Sequence, residues 1–162
     1  ETCWNSRHQP AQVLRKANDI LWDVQDGDWR SSLCYLQLHP ASGSTQLAMG
    51  GDLRVFVVSQ RGVRVVGGTT TLLAEQPDTR FVNEQLYLEG GDLLLIASAS
   101  VLDEEAGSGF SQAKLLETVQ EMLEDSVADI VDHLARKLPM SASSDPNVHP
   151  ADRSLMVLRR RF

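Results

Sequence analysis

Asp103 and Glu104 stand just past one apolar run of this chain, and Asp152 stands just ahead of another. Carboxylates presented at strand ends are what a rigid sheet needs to hold a hard cation such as Mg2+ or Mn2+, which takes oxygen ligands. The first run is Gly91-Asp92-Leu93-Leu94-Leu95-Ile96-Ala97-Ser98, entered through a Gly-Gly turn. It is too short for most helices and suits a strand covered on both faces. The strand leaves as Ala99-Ser100, small and neutral, and Ala151 precedes Asp152. The acids therefore lie beside the strand ends and not on them.

Other residue types that could do chemistry lack the spacing for it. His8, His39, His133 and His149 share no ligand spacing and are expected as surface or satisfied histidines. Cys3 and Cys34 are isolated, without the Cys-x-x-Cys of a zinc or redox site, so both thiols are expected free and a reducing cytoplasm fits. Gly107-Ser108-Gly109-Phe110-Ser111 does not match the Gly-x-Ser-x-Gly nucleophile elbow, and reads as a loop and helix cap. Gly50-Gly51-Asp52 lacks the glycines of a dinucleotide loop and the lysine of a phosphate loop, so nothing supports nucleotide binding.

Composition bounds the classes. At 162 residues, 42% hydrophobic and 23% charged, the chain is expected to form one domain over 1–162. A chain of that length buries roughly two thirds of its unfolded surface. A net charge of −7 argues against a nucleic-acid surface, which needs clustered Lys and Arg. Arg159-Arg160-Arg161 is the one basic run, read as the solvated end of a strand. No window is apolar enough to span a membrane, and the start shows no signal-peptide pattern.

The positioning elements follow from periodicity. Pro10 to Asp23 predicts a helix with Val13, Leu14, Ala17, Ile20, Leu21 and Val24 as its apolar stripe, and Pro10 suits the first turn. Strands are expected at Ser31 to His39, Ser44 to Met49, Leu53 to Ser59 and Gly62 to Val66, with turns at Pro40 to Gly43 and Gln60 to Gly62. Phe81 to Leu88 is expected to pair with the apolar strand through Glu89-Gly90-Gly91. Two helices should follow Phe110, the second capped reciprocally by Ser126 and Asp129 and stopped by Pro139. Met140 to Pro150 reads as a surface loop, and Ser154 to Arg161 as the last strand. Trp4, Trp22 and Trp29 cluster near the start and read as core packing ahead of a partner seat. Runs of strands followed by paired helices fit a layered α+β sandwich.

The order of these pieces resembles the metal-dependent type 2C protein phosphatases, in the bacterial branch of sporulation phosphatase E and the stress-response regulators. Gly91 to Ser100 is similar to that family's Gly-Asp, apolar run, Ser/Thr-Asp-Gly segment. Pro10-Ala11-Gln12-Val13-Leu14, with Asn18 and Leu21, is similar to its Pro-x-x-Val-Leu-x-x-x-Asn helix. Ser32 through Pro40, Gly43 and Gly51 resembles the hairpin that displays Ala-Gly-His or Ala-Gly-Asn. Ala151-Asp152-Arg153-Ser154-Leu155-Met156-Val157-Leu158 resembles the closing Asp-Asp-x-Thr strand. The resemblance implies an α-β-β-α sandwich. It also implies two divalent metals between carboxylates, whose bridging water attacks a phosphoserine or phosphothreonine.

Departures from the pattern fall on the ligands. Aligned on the apolar strand, the ligand acid falls on Ala99; aligned on the last strand, the first acid of the pair falls on Ala151. A methyl neither coordinates a metal nor offsets its charge. Relatives also begin with a hairpin and a long helix carrying further acids, whereas Glu1 to Gln9 alone precede Pro10 here. A one-residue slip that brought Asp152 into the ligand place would turn the Ser154-Leu155-Met156-Val157 pattern to the wrong face. These readings predict a degenerate, non-catalytic phosphatase-like domain with no catalytic or metal residue and no cofactor, Asp103 and Asp152 remaining as nearby acids. Its expected partner is a protein, such as a phosphorylated anti-sigma antagonist or a sensor, or a second copy in a homodimer. The alternative is an active phosphoserine/phosphothreonine phosphatase of sigma-factor regulation, using Mn2+ or Mg2+ and altered ligands. A purely structural dimerisation module is the third.

Overall fold

The computed structural model describes residues 9–24, 30–67, 71–102, 111–138 and 153–161. These residues form three α-helices and seven strands, divided between two compact units, Glu1–Leu53 with Gly67–Leu88 and Arg54–Val66 with Glu89–Phe162. The architecture is α+β with two antiparallel sheets.

In the first unit, helix α1 (Pro10–Val24) packs on β1 (Leu33–Leu38) and β2 (Ser44–Gly50), and the sheet runs β1-β2-β5 with β5 at Glu84–Tyr87. The β1–β2 hairpin pairs Leu33 with Gly50 through Leu38 with Thr45, as its turn residues predict. The start of α1 is tied down by Asn83, whose Oδ1 accepts from the Ala11 N–H at 2.8 Å. The face that α1 buries differs from the expected stripe. Leu14 and Asn18 are fully buried, while Ile20 and Val24 are exposed. Asn18 wins that place because its amide is used twice: Oδ1 accepts from Ala74 N at 2.9 Å and Nδ2 donates to Gln76 O at 3.1 Å. Ala74 adopts a φ of 62°, and a buried turn of that kind has backbone groups to satisfy. Trp22, expected in the core, is 40% exposed; Trp4 and Trp29 lie outside the described residues.

Cys34, on β1, carries a free thiol pushed up to about 11 by burial. From the ordinary 9.0 that is a hundredfold loss of thiolate at neutral pH, and the thiolate is the nucleophile. Alkylation by iodoacetamide at pH 8 is therefore expected to run about 100-fold slower than in the urea-unfolded chain. A raised thiol pKa favours the protonated fold, so this contribution is intact below pH 9.0 and is lost as pH rises toward 11. Equal alkylation rates in folded and unfolded chain would refute the burial. Cys3 lies outside the described residues.

The second unit is built on the sheet β4-β3-β6-β7, with β3 at Leu53–Ser59, β4 at Gly62–Val66, β6 at Leu93–Ser98 and β7 at Leu155–Arg159. Leu93 to Ala97 are all buried, as an unbroken apolar strand requires. Phe56 and Val58 of β3 join Leu93, Leu95 and Ala97 of β6 in one cluster with Leu115 and Val119 of helix α2 (Gln112–Glu121) and Ile130 and Leu134 of helix α3 (Val127–Lys137). Ser111 caps α2 by accepting from Lys114 N at 3.1 Å. At α3, Ser126 Oγ accepts from Asp129 N at 3.1 Å and donates to the Asp129 carboxylate at 2.6 Å, so the acid returns to the hydroxyl where a full capping box returns to the backbone.

Two expectations are corrected here. The segment expected to form a hairpin with the apolar strand instead contributes β5, which pairs with β2 from Ser44–Tyr87 to Leu47–Glu84, while β6 pairs with β7. The Glu89–Asp92 turn hands the chain from one sheet to the other: Glu89 N donates to the Asp92 carboxylate at 2.7 Å, and Gly91 N to Arg160 O at 2.8 Å. A glycine turn serves a sheet change as well as a hairpin. Arg159 is also not a solvated strand end. Its guanidinium donates to the carbonyls of Leu123 and Asp125, closing the turn after α2.

Candidate functional site

Strand β6 ends at Ser98, and Ala99–Val101 form one 3-10 turn closed by Leu102 N donating to Ala99 O at 2.8 Å. The antiparallel register with β7 runs from Leu93–Arg159 to Ala97–Leu155, and the ladder continues one step, Ser98 N donating to Ser154 O at 2.9 Å. Ser154 N returns a bond to Ser98 Oγ at 3.0 Å, and Ser98 Oγ lies 2.8 Å from Ser100 Oγ. The strand end thus presents two linked hydroxyls, the partly exposed methyl of Ala99 and, one residue before Ser154, Arg153. Neutral hydroxyls and a methyl do not fit a pair of divalent cations, which need charged oxygen ligands.

Leu155 and Val157 pack against the α2–α3 core and Met156 is 49% exposed, so the register of β7 is held by burial from Leu155 onward. Of the residues singled out in the sequence, Ala99 is placed here; Asp103, Glu104, Ala151 and Asp152 lie outside the described residues. Among the described residues no group of three or more His, Cys, Asp or Glu could hold a metal ion. Nothing in the sequence marks the serine network, because serines at strand ends and turns carry no distinctive spacing.

The second feature to which the sequence points is the turn after β2, in the other unit. Gly51 has a φ of 90°, and a Cβ there would stand 2.8 Å from Ser32 Cα, so only glycine fits. Gly51 N donates to Thr71 O at 2.7 Å, and Asp52 N donates to Ser32 Oγ at 3.1 Å. This turn leaves the neighbouring Asp52 exposed. His39 is a turn residue: its Nδ1 contacts Ser42 Oγ at 2.9 Å and accepts from Ser42 N at 3.2 Å.

The family profile described as Stage II sporulation protein E (SpoIIE) matches residues 1–161. The chain belongs to the SpoIIE family. The SiaA-PP2C domain of Pseudomonas aeruginosa is similar in structure, with a TM-score of 0.71 at 14% identity over 93% of this chain and 61% of that one. RsbX in complex with magnesium has a TM-score of 0.65 at 11% identity, covering 94% of this chain and 65% of RsbX. The Mn-presoaked phosphatase domain of the cell fate determinant SpoIIE from Bacillus subtilis has a TM-score of 0.62 at 16% identity, covering 96% and 67%. These likenesses show the α+β fold of type 2C phosphatase domains. The chain spans less than two thirds of the SiaA and RsbX chains that it matches. Among curated protein sequences none matches. No helix among the described residues is long and apolar enough to cross a membrane.

Proposed function

We propose that this SpoIIE-family domain is a non-catalytic member that acts in signalling through protein contacts. The observation that supports the reading best is the end of β6, where Ala99 sits between the bonded hydroxyls of Ser98 and Ser100 at the position to which the family resemblance assigns a metal-binding acid. One missing carboxylate weakens a two-metal site; with Ala151 a second is absent from the sequence, and the repulsion between two dications goes uncompensated. The partner in this reading is a protein of the phosphorylated-regulator class, in a bacterial cytoplasm, or a second copy of the chain.

A second reading, an active metal-dependent phosphatase of sigma-factor regulation, draws on the neighbours solved with Mg or Mn and on the acids Asp103 and Asp152 beside Ala99 and Ala151. Titration calorimetry with Mn2+ separates the two, run beside hydrolysis of para-nitrophenyl phosphate and phosphoserine peptides. The expected outcome is no saturable heat and no turnover above the blank. Stoichiometric Mn2+ binding with turnover abolished by chelator would establish the second reading.

A further inference from the structure

An apolar row on α1 stands largely open to solvent toward its C-terminal end. Val13, Ala17, Ile20 and Val24 recur at i, i+4, i+7 and i+11, which lines them up along one side of a helix with 3.6 residues per turn. That line runs beside the face carrying buried Leu14 and Asn18. Ile20 is 63% exposed and Val24 78%. Lys16 and Asp23, both exposed, border the row on the flank away from Leu14. Arg15 lies elsewhere on the helix, 3.9 Å from Asp78.

We propose that α1 pairs antiparallel with α1 of a second copy, about a two-fold axis passing between Asn18 and Asp19. An isologous interface sets each residue against its counterpart across the axis, so Val13 meets Val24 and Ala17 meets Ile20. The small Ala17 leaves room for the larger Ile20. Under the same axis each flank of one helix meets the same flank of the other, which brings Lys16 to Asp23 of the partner subunit, and the reverse. With 1.5 Å rise per residue the two lie about 3 Å apart along the axis. This match selects the occupant: a base and an acid on one flank, placed on opposite sides of the midpoint, complement a copy of themselves. A parallel pair would set the Lys16 flank against the Leu14 flank and lose both ion pairs. One 15-residue helix offers less than the roughly 800 Å² per partner of a standard interface, so the dimer is weak and reversible.

The proposal rests on the reading of the domain as a protein-contact module. Sedimentation velocity of the 162-residue chain, from micromolar to submillimolar concentration, should show a monomer–dimer equilibrium. Ile20→Glu should abolish it, with an unchanged thermal melt because the residue is exposed. Lys16→Asp and Asp23→Lys should each weaken it about threefold to tenfold, because each turns two attractions into repulsions. The double variant Lys16→Asp/Asp23→Lys should regain it. A chain that stays monomeric leaves the row to another occupant and overturns the proposal. So does a dimer indifferent to charge reversal, or one that the double variant fails to restore. Mn2+ calorimetry on Ile20→Glu reports on the metal question alone, so failure of the dimer and failure of the non-catalytic reading are told apart.

Discussion

Phe56→Ala is expected to destabilise the domain by about 3–5 kcal/mol, the range for emptying a buried aromatic site that cannot fully collapse. Phe56 is fully buried in the cluster formed by β3, β6, α2 and α3, where Leu95, Leu115, Val119 and Ile130 are fully buried too. Strand and helix neighbours are held by their own backbone bonds, so the surroundings cannot close over the space. In a chain of this length such a loss lowers the melting midpoint by about 6–20 °C. Val65, directly across the β3–β4 ladder from Phe56, is 57% exposed and supplies the control. Val65→Ala is expected to cost less than about 1 kcal/mol. Circular-dichroism melts of the two variants decide the matter, and equal midpoints would mean that the core does not centre on β3 and β6.

The same physics explains which elements are legible in the sequence. β6, α2 and α3 are legible because burial imposes an unbroken apolar run on a covered strand and a 3.6-residue period on a helix, and both are present without interruption. The partner of β5 is not legible. Glu89-Gly90-Gly91 is an equally good turn whether the chain folds back on itself or passes to another sheet, and the choice rests on long-range pairing with β2. On α1 the pattern of hydrophobicity misplaces the buried face, since Asn18 is buried through two backbone partners while the apolar Ile20 and Val24 are left in solvent. Arg159 misleads for a related reason: charge suggests solvent, yet the carbonyls after α2 offer a guanidinium its partners. At the site, Ala99 stands out only against a resemblance, because a methyl is noticed as a loss when something else is expected there. The bond from Ser154 N to Ser98 Oγ depends on the β6–β7 register, which local sequence does not contain.

Ala99→Asp, Ser100→Gly and Ala151→Asp, combined in one chain, are expected to leave hydrolysis of phosphopeptides at the blank with Mn2+ or Mg2+ present. The first two changes rebuild the Asp-Gly that the family resemblance places after the apolar strand, and the third rebuilds the acid pair before β7. Two dications need several carboxylates, and the replacements supply only two. The replacements have a structural cost of their own. Ser100→Gly removes the hydroxyl 2.8 Å from Ser98 Oγ and loosens the turn after β6, together about 1–2 kcal/mol. New carboxylates without a metal between them repel one another, which raises their pKa values in the fold above those in the unfolded chain. That destabilisation is present at neutral pH and is relieved as the pH falls through the raised values, so the triple variant should approach the parent's stability in mild acid. Two measurements decide the outcome: melting midpoints at about pH 7 and about pH 5, on either side of the raised carboxylate range, and phosphate release with and without chelator. Mn2+-dependent release in the triple variant would mean that remaining acids, Asp103 or Asp152 among them, complete a metal site. The non-catalytic reading would then fail, because the scaffold would lack two ligands and nothing else.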